Sequence, residues 1–293
     1  MFRQQTVSPV LPWMLRLFLS FVTFFYNILI DSTRELWFRL FIPTELPSAD
    51  GGTNKLPVIL FFHGGAFTFL SPDLIIYDAV CRRFAHKVPA IVVSVNYRLT
   101  PEHRFPSHGL PSNADLSCCF LAGDSAGGNI AHHVAVRWAS KVDEFQQVKV
   151  IGLRTESEIR LHGAPVVLSV KHSDRHWKMF LPEGSDRDHE AANVFGPNSK
   201  TDISELKEFP STLVFIGGFD PLQDWQRRYY EDLMSFGKQA YLVEYHNVIH
   251  AFYVIPDFPE SYILISEVKR FIWNQISSNN TTQIYVKETQ KNY

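Results

Sequence analysis

A serine with a glycine two residues before it and another two residues after it stands where two different patterns meet. The segment Gly123-Asp124-Ser125-Ala126-Gly127 follows an apolar run of the strand type and precedes a helical pattern that continues to Ala139. On such a strand-to-helix turn, the serine hydroxyl is exposed and the flanking glycines leave room for the sharp backbone. The segment by itself is equally compatible with a nucleophile and with a glycine-rich turn that carries an incidental serine.

A second glycine motif favours the nucleophile. The apolar strand pattern that begins at Leu60 ends in His63-Gly64-Gly65-Ala66, a loop of small residues. Attack of a serine on an acyl group places negative charge on the former carbonyl oxygen, which preformed backbone N–H groups stabilise. Loops of the His-Gly-Gly type supply such donors together with the residue after the nucleophile. The sequence therefore predicts an oxyanion hole formed by Gly64, Gly65 and Ala126.

A serine nucleophile also needs a general base and a carboxylate that orients the base, and these follow the serine in the order acid, then histidine. Asp220 comes directly after a buried-strand pattern, at the edge where sites of open α/β sheets assemble. Asp224 is the competing acid, but its place at the start of the next helix suits a helix terminus better. His246 and His250 both lie in the loop predicted after the strand pattern 241–245, and spacing alone leaves either as the base.

The chain resembles plant carboxylesterases of the hormone-sensitive-lipase-like group of α/β-hydrolases. The resemblance implies that His250 of the His-Ala-Phe stretch is the base and that Asp220, before Pro-Leu, is the acid. It also implies helical cap segments over the acyl pocket near 154–158 and 176–182. The matching stretches are Phe61–Phe67, Val95–Pro106, Gly123–Asn129, Asp220–Asp224 and His250–Phe252.

The function implied by this resemblance is a serine carboxylesterase that uses the triad Ser125, His250 and Asp220. The alternative is a catalytically weak or inactive protein that binds a hormone or another small molecule, as the related gibberellin receptors do. In those receptors an aliphatic residue stands where this chain has His250, and the histidine favours the enzyme. The natural ester and the oligomeric state are not indicated by the sequence.

Composition agrees with this interpretation. The chain has 293 residues, of which 45% are hydrophobic, and a formal net charge of −2. This charge gives no sign of a nucleic-acid partner or of an anionic membrane surface. The three cysteines form no disulfide framework, and we find neither zinc-ligand spacing nor a phosphate-binding Gly-x-x-x-x-Gly-Lys loop. We therefore expect no metal and no cofactor, and we expect a small-molecule ester as the partner.

Alternating strand and helix patterns predict an α/β-hydrolase fold, with a mostly parallel sheet, helices on both faces and a small helical cap. One crossover helix is missing from the pattern, since residues 100–117 show prolines and no helical periodicity. We divide the chain into an N-terminal lid (1–34), a hydrolase domain (35–275, cap insertion about 154–200) and a polar tail (276–293). Predicted strands are 36–42, 58–62, 90–96, 118–122, 148–153, 212–216 and 241–245, and predicted helices are 74–87, 125–140, 225–236 and 261–274.

The N-terminal segment has two interpretations. Residues 17–30 are mostly apolar and follow Arg16, but the run is shorter than the roughly twenty residues that a spanning helix needs. We favour a lid over the pocket and a cytoplasmic protein. A membrane anchor through residues 13–30 is the alternative, because basic residues precede the run and no clear cleavage site follows it.

Overall fold

The computed structural model describes residues 37–44, 56–100, 119–140, 148–149 and 170–280. Its strands are runs of apolar and β-branched residues, which suit a pleated surface covered on both sides. The strands are β1 (Phe38–Phe41), β2 (Val58–Phe62), β3 (Ile91–Val95), β4 (Cys119–Gly123), β5 (Val148–Lys149), β6 (Thr212–Phe219) and β7 (Ala240–Ile249). The helices are α1 (Ile75–Lys87), α2 (Ala126–Ala139), α3 (Val170–Phe180), α4 (Gln223–Ser235) and α5 (Pro259–Asn280).

The described strands form two sheets. Five strands pair in the order β1-β3-β2-β4-β5, where β1 is antiparallel and the other pairs are parallel. Strands β6 and β7 form a second, parallel pair. Within the described residues no strand joins β5 to β6. The carboxyl ends of β2, β4 and β6 carry the glycine loop, Ser125 and Asp220, respectively, in agreement with the rule for sites of open α/β sheets.

Two apolar clusters cover the sheets. One contains Leu60 and Leu121 and packs beneath α2 and the helix α3 through Trp138 and Phe180. The other contains Phe61 and lies under α1 and α5. Successive residues of β2 thus point into different clusters, as the alternation of side chains along a strand requires.

Most of the predicted elements agree with the structure within two residues, and three differ. Strands β6 and β7 are longer than predicted, because Phe219 and Ile249 still pair across the two strands. The prediction that His246 lies in a loop is wrong, since β7 continues past it to Ile249. Helix α5 extends to Asn280, so that the first residues assigned to the polar tail are helical.

Several predictions concern residues outside those described. They include the N-terminal lid or anchor, the missing crossover helix, most of the predicted strand 148–153 and the first cap segment. The second predicted cap segment corresponds to α3, which the sequence had not delimited as an element. No helix within the described residues combines the length and apolarity needed to cross a membrane.

Candidate active site

Ser125 occupies a strained turn between β4 and α2. Its backbone has φ 53° and ψ −119°, outside the regions that non-glycine residues normally adopt. The flanking glycines permit the turn, since a Cβ on Gly127 would lie 1.9 Å from the carbonyl oxygen of Phe62 and one on Gly123 would lie 2.5 Å from Gly127. Strained residues of this kind persist where the surrounding packing fixes them, and they cluster at functional sites.

Asp220 and His250 form a hydrogen-bonded pair. Nδ1 of His250 lies 2.8 Å from Oδ2 of Asp220, and both side chains are nearly buried. Asp220 is fixed by the backbone N–H of Leu222 on Oδ1 at 2.8 Å and by Gln226 Nε2 on Oδ2 at 3.0 Å. The bond to Asp220 holds the imidazole with its proton on Nδ1, which leaves Nε2 as the nitrogen that can accept a proton.

The structure brings one of the two candidate histidines to the aspartate. His250 lies in the turn after β7, whereas His246 lies within that strand. Asp224 stands in the first turn of α4 and faces Arg227 at 3.8 Å. The acid and base predicted with the help of the family resemblance, Asp220 and His250, are therefore the pair in contact.

Ser125 and His250 line one cavity of about 100 Å³, together with Asp220. Its remaining walls are mostly apolar and come from β4, β6 and α5, including Leu264 and Val268. Among the residues that the structure describes, no hydrogen bond joins Ser125 to His250. In enzymes without bound substrate this bond is often long and shortens only in the reacting complex. None of the predicted oxyanion donors lines this cavity, which extends from Ser125 towards the apolar residues of α5.

The three predicted oxyanion donors differ in their environment. The N–H of Gly64 donates to Asp124 Oδ1 and to Tyr77 Oη, both at 2.9 Å, and is thus engaged within the protein. By contrast, the N–H groups of Gly65 and Ala126 meet no acceptor in the described part of the chain, and neither does that of Ala66. Sequence reasoning did not name Ala66 as a donor, because the two glycines before it already matched the motif and were assigned as the donors of the loop.

The glycine loop has an unusual backbone that helix α3 covers. Gly65, Ala66 and Phe67 have φ values of 119°, 50° and 65°. A Cβ on Gly65 would lie 2.0 Å from the carbonyl oxygen of Phe69, so a larger residue does not fit. Thr68 Oγ1 lies 2.8 Å from His176 Nδ1 on α3, which ties the loop to the cap.

Burial and charge oppose each other at His250. Burial lowers the pKa of His250, but the charge of Asp220 and its hydrogen bond, with a further contribution from Asp124, raise it above its usual value. The pKa of Asp124 is raised by burial, although His250 and the neighbouring tyrosines act in the opposite direction. A neutral imidazole with a raised pKa is a stronger base, as a proton acceptor requires.

Two residues of this network, Asp124 and Tyr77, were not singled out by sequence reasoning. Asp124 lay inside the serine motif as an unassigned position, and Tyr77 lay in a predicted helix. Their link is tertiary, since Tyr77 Oη donates to Asp124 Oδ2 at 3.0 Å across 47 residues of chain. Within the described residues we find no cluster of three or more histidine, cysteine or acidic side chains that could hold a metal ion.

Comparison with known proteins identifies relatives of this chain. A family model described as alpha/beta hydrolase fold matches residues 59–254. Gibberellin receptor GID1C of Arabidopsis thaliana is 37% identical over 279 residues, which cover 85% of this chain and 80% of the receptor. Carboxylesterase 20 of the same plant is 32% identical over 228 residues, which cover 68% of this chain and 69% of that protein.

Solved structures agree on the fold. A hyperthermophilic esterase from the archaeon Pyrobaculum calidifontis superimposes with a TM-score of 0.65 at 24% identity. The match covers 93% of this chain and 94% of the esterase. At this level of identity the likeness shows the fold alone. The similarity of sequence is shown by the two plant relatives.

Proposed function

The chain belongs to the α/β-hydrolase family, in the group that contains gibberellin receptors and plant carboxylesterases, and on this basis we propose that it is a serine carboxylesterase. The observation that carries the proposal is the 2.8 Å contact between His250 and Asp220 beside a cavity that Ser125 also lines. A binding protein has no need of a base whose proton-accepting nitrogen is kept free in this way. The proposed substrates are small carboxylic esters.

In the proposed reaction, Ser125 Oγ attacks the ester carbonyl carbon while His250 Nε2 takes its proton. Asp220 holds the imidazole in the required tautomer and stabilises the imidazolium that forms. The tetrahedral oxyanion accepts hydrogen bonds from the N–H groups of Gly65, Ala66 and Ala126. The carbon–oxygen bond to the alcohol breaks, and the alcohol leaves with the proton from His250. Water then attacks the acyl carbon while His250 Nε2 takes its proton. The bond between the acyl carbon and Ser125 Oγ breaks, His250 returns the proton to Oγ, and the acid leaves.

Ser125→Ala tests the proposal with a chromogenic short-chain ester such as p-nitrophenyl butyrate. We expect turnover to fall by at least about a thousandfold, because the nucleophile is lost while the binding site remains. Ser140→Ala is the matched control, since Ser140 is exposed at the end of α2 and its hydroxyl donates to the carbonyl oxygen of Val136 in its own helix at 2.8 Å. Wild-type turnover in Ser125→Ala would refute the proposal.

A second candidate function is the binding of a gibberellin-like carboxylate without its turnover. It is favoured by the identity of 37% to a protein named as a gibberellin receptor. Calorimetric titration of the wild-type protein with gibberellin tests it directly. Saturable binding of gibberellin, together with no hydrolysis of any ester in a series of acetates and butyrates, would favour the receptor over the esterase.

A further inference from the structure

The carboxyl group of Asp124 joins the turn at Ser125 to the glycine loop. Asp124 Oδ1 accepts the Gly64 N–H at 2.9 Å, and Oδ2 accepts the Tyr77 hydroxyl at 3.0 Å. The same Tyr77 oxygen lies 2.9 Å from the Gly64 nitrogen. These three groups form a closed triangle between the ends of β2 and β4 and helix α1.

The triangle fixes the peptide at the start of the glycine loop. A Cβ at residue 64 would lie 2.4 Å from Asp124 Oδ2, so that glycine alone allows the carboxylate to approach this closely. A hydrogen bond to an ionised carboxylate is shorter and stronger than one between neutral groups. Because the Gly64 peptide is held, the direction of the next two N–H groups, those of Gly65 and Ala66, is set relative to Ser125.

His63 and Tyr97 support the loop as well, through its carbonyl groups. His63 Nδ1 lies 2.6 Å from the carbonyl oxygen of Gly64, while its Nε2 is buried and has no hydrogen-bond partner among the residues that the structure describes. Tyr97 Oη donates to the carbonyl oxygen of His63 at 2.7 Å. The carbonyl group of Gly64 shares a planar peptide with the Gly65 N–H, so His63 helps to orient that donor. Asp124 and Tyr77 hold the preceding peptide through the Gly64 N–H.

Resting on the proposed esterase function, we propose that Asp124 is a positioning residue with two effects. It fixes the oxyanion donors Gly65 and Ala66 relative to the nucleophile, and its negative charge stabilises the imidazolium of His250 that forms during attack. Through one carboxylate, Asp124 thus acts both on the oxyanion donors and on the proposed base. Tyr77 assists the first effect by holding the second carboxylate oxygen.

Asp124 and His250 line the same cavity, which brings the two groups near each other and is the basis of the second effect. Burial raises the pKa of Asp124, and His250, Tyr253, Tyr77 and His63 counteract this shift. Burial lowers the pKa of His250. The charge of Asp220, its hydrogen bond and the charge of Asp124 outweigh burial and raise this pKa above its usual value.

Two carboxylates therefore act on the imidazole through their charge, Asp220 from the end of β6 and Asp124 from the end of β4, and Asp220 alone of the two also contacts it in the described structure. Neutralising Asp124 removes one of them without touching the bond to Asp220. The charge effect of Asp124 is therefore separable from the hydrogen bond that orients His250.

Asp124→Asn and Asp124→Ala separate the two effects. The asparagine retains an oxygen that can accept the Gly64 N–H, so we expect its main effect on the pH profile. The acid limb of kcat/KM moves to lower pH, by roughly half a unit or more, because a negative charge beside the base is lost. In Asp124→Ala the donors lose their support as well, and we expect kcat to fall roughly 10- to 100-fold with little change in KM.

Two measurements make the test independent of folding and of turnover. Reaction with a fluorophosphonate counts the reactive serines, so that kcat refers to folded sites alone. An NMR titration of the His250 imidazole in the wild-type protein and in Asp124→Asn reports the charge effect without any substrate. We expect the pKa of His250 to be lower in the variant.

Asp78→Asn is the matched control, since Asp78 is the neighbour of Tyr77 on α1 but its carboxylate faces Arg39 at 2.9 Å and Arg82 at 2.6 Å. We expect its kcat and acid limb to match those of the wild type. An unchanged His250 titration in Asp124→Asn together with an unchanged kcat in Asp124→Ala would overturn the inference. Retained activity in Ser125→Ala would instead overturn the proposed function, which keeps the two failures distinct.

Discussion

Phe67 of the glycine loop lies face to face with Phe180 of the cap helix α3, with ring centroids 3.8 Å apart and planes inclined by 11°. Phe67 has a φ of 65°, which is costly for a bulky side chain. Both rings are buried, and Trp177 packs against the edge of the pair. The cap helix is therefore part of what holds the strained loop in place.

We expect substitutions that weaken the packing between the glycine loop and α3 to lower kcat more than they change KM. In Thr68→Val the hydrogen bond to His176 is lost and the shape is kept, while Phe180→Leu removes the stacked ring. Because the loop then relaxes from its strained backbone, we expect kcat to fall several-fold in each variant and KM to change less. Steady-state kinetics on a p-nitrophenyl ester series measures both constants.

The control for Phe180→Leu is Phe236→Leu. Phe236 packs on Phe195 at a centroid distance of 5.4 Å, in a region that does not line the site cavity. We expect a comparable loss of stability from both variants, but an unchanged kcat from the control. Equal kcat values in the two leucine variants would contradict a positioning role for the cap helix.

Asp220→Asn tests the acid of the proposed triad. An asparagine fills the same space but removes the charge that stabilises the imidazolium and alters the tautomer of His250. We expect kcat to fall by about 10² to 10⁴-fold with retained folding, as judged by circular dichroism. Asp224→Asn, four residues later on α4 and half-buried, retains wild-type activity if Asp220 is the acid.

We expect the proposed esterase activity to depend on the protonation of His250. The base acts only when neutral, and Asp220 and Asp124 outweigh the effect of burial to raise the pKa of His250 above the ordinary value. We therefore expect kcat/KM to rise with pH and to reach half of its plateau above about pH 6.5. A half-maximal value clearly below that pH would show that another group limits the reaction.

Two adjacent histidines on α2 make the fold sensitive to acid. Burial and the neighbouring His133 lower the pKa of His132, whose Nδ1 contacts Tyr229 Oη at 2.9 Å. Burial lowers the pKa of His133 to about 4, although contacts with Ala191 and Glu190 oppose the shift. In the unfolded chain both imidazoles take up protons near pH 6.5, whereas in the folded chain they do so only at lower pH.

Because the unfolded state binds more protons in that interval, the free energy of unfolding falls as the pH drops from about 6.5 towards 4. For His133 the slope approaches about 1.4 kcal/mol per pH unit. Urea unfolding at several pH values measures it, and we expect a shallower dependence in His133→Gln. His86→Gln, at an exposed position of α1, is measured beside it as the control for the loss of a histidine from the chain.

Local patterns were sufficient for much of the sheet. Strand β2 has the predicted bounds, and the bounds of β3, β4, α1 and α2 differ from the predicted ones by no more than one residue at each end. These elements were predicted well because each is bounded by a change of pattern or by a glycine or proline. The ends of β7 and α5 were missed. Strand pairing between Phe219 and Ile249 and the packing of α5 on the core extend these elements beyond what their own residues indicate.

The sequence by itself determined which residues could supply the chemistry: a serine on a strained turn, a glycine loop after a strand and an aspartate at a strand end. These are short-range features, since each depends on residues within one strand and its following turn. Spacing left His246 and His250 as equals and the family resemblance selected His250, while only the tertiary structure brings its imidazole to Asp220.

The same holds for the Gly64 N–H, a predicted oxyanion donor that the folded chain gives to Tyr77 and Asp124, 13 and 60 residues away. A hydrogen bond between distant residues depends on where separate strands end in space, and no local pattern contains that information.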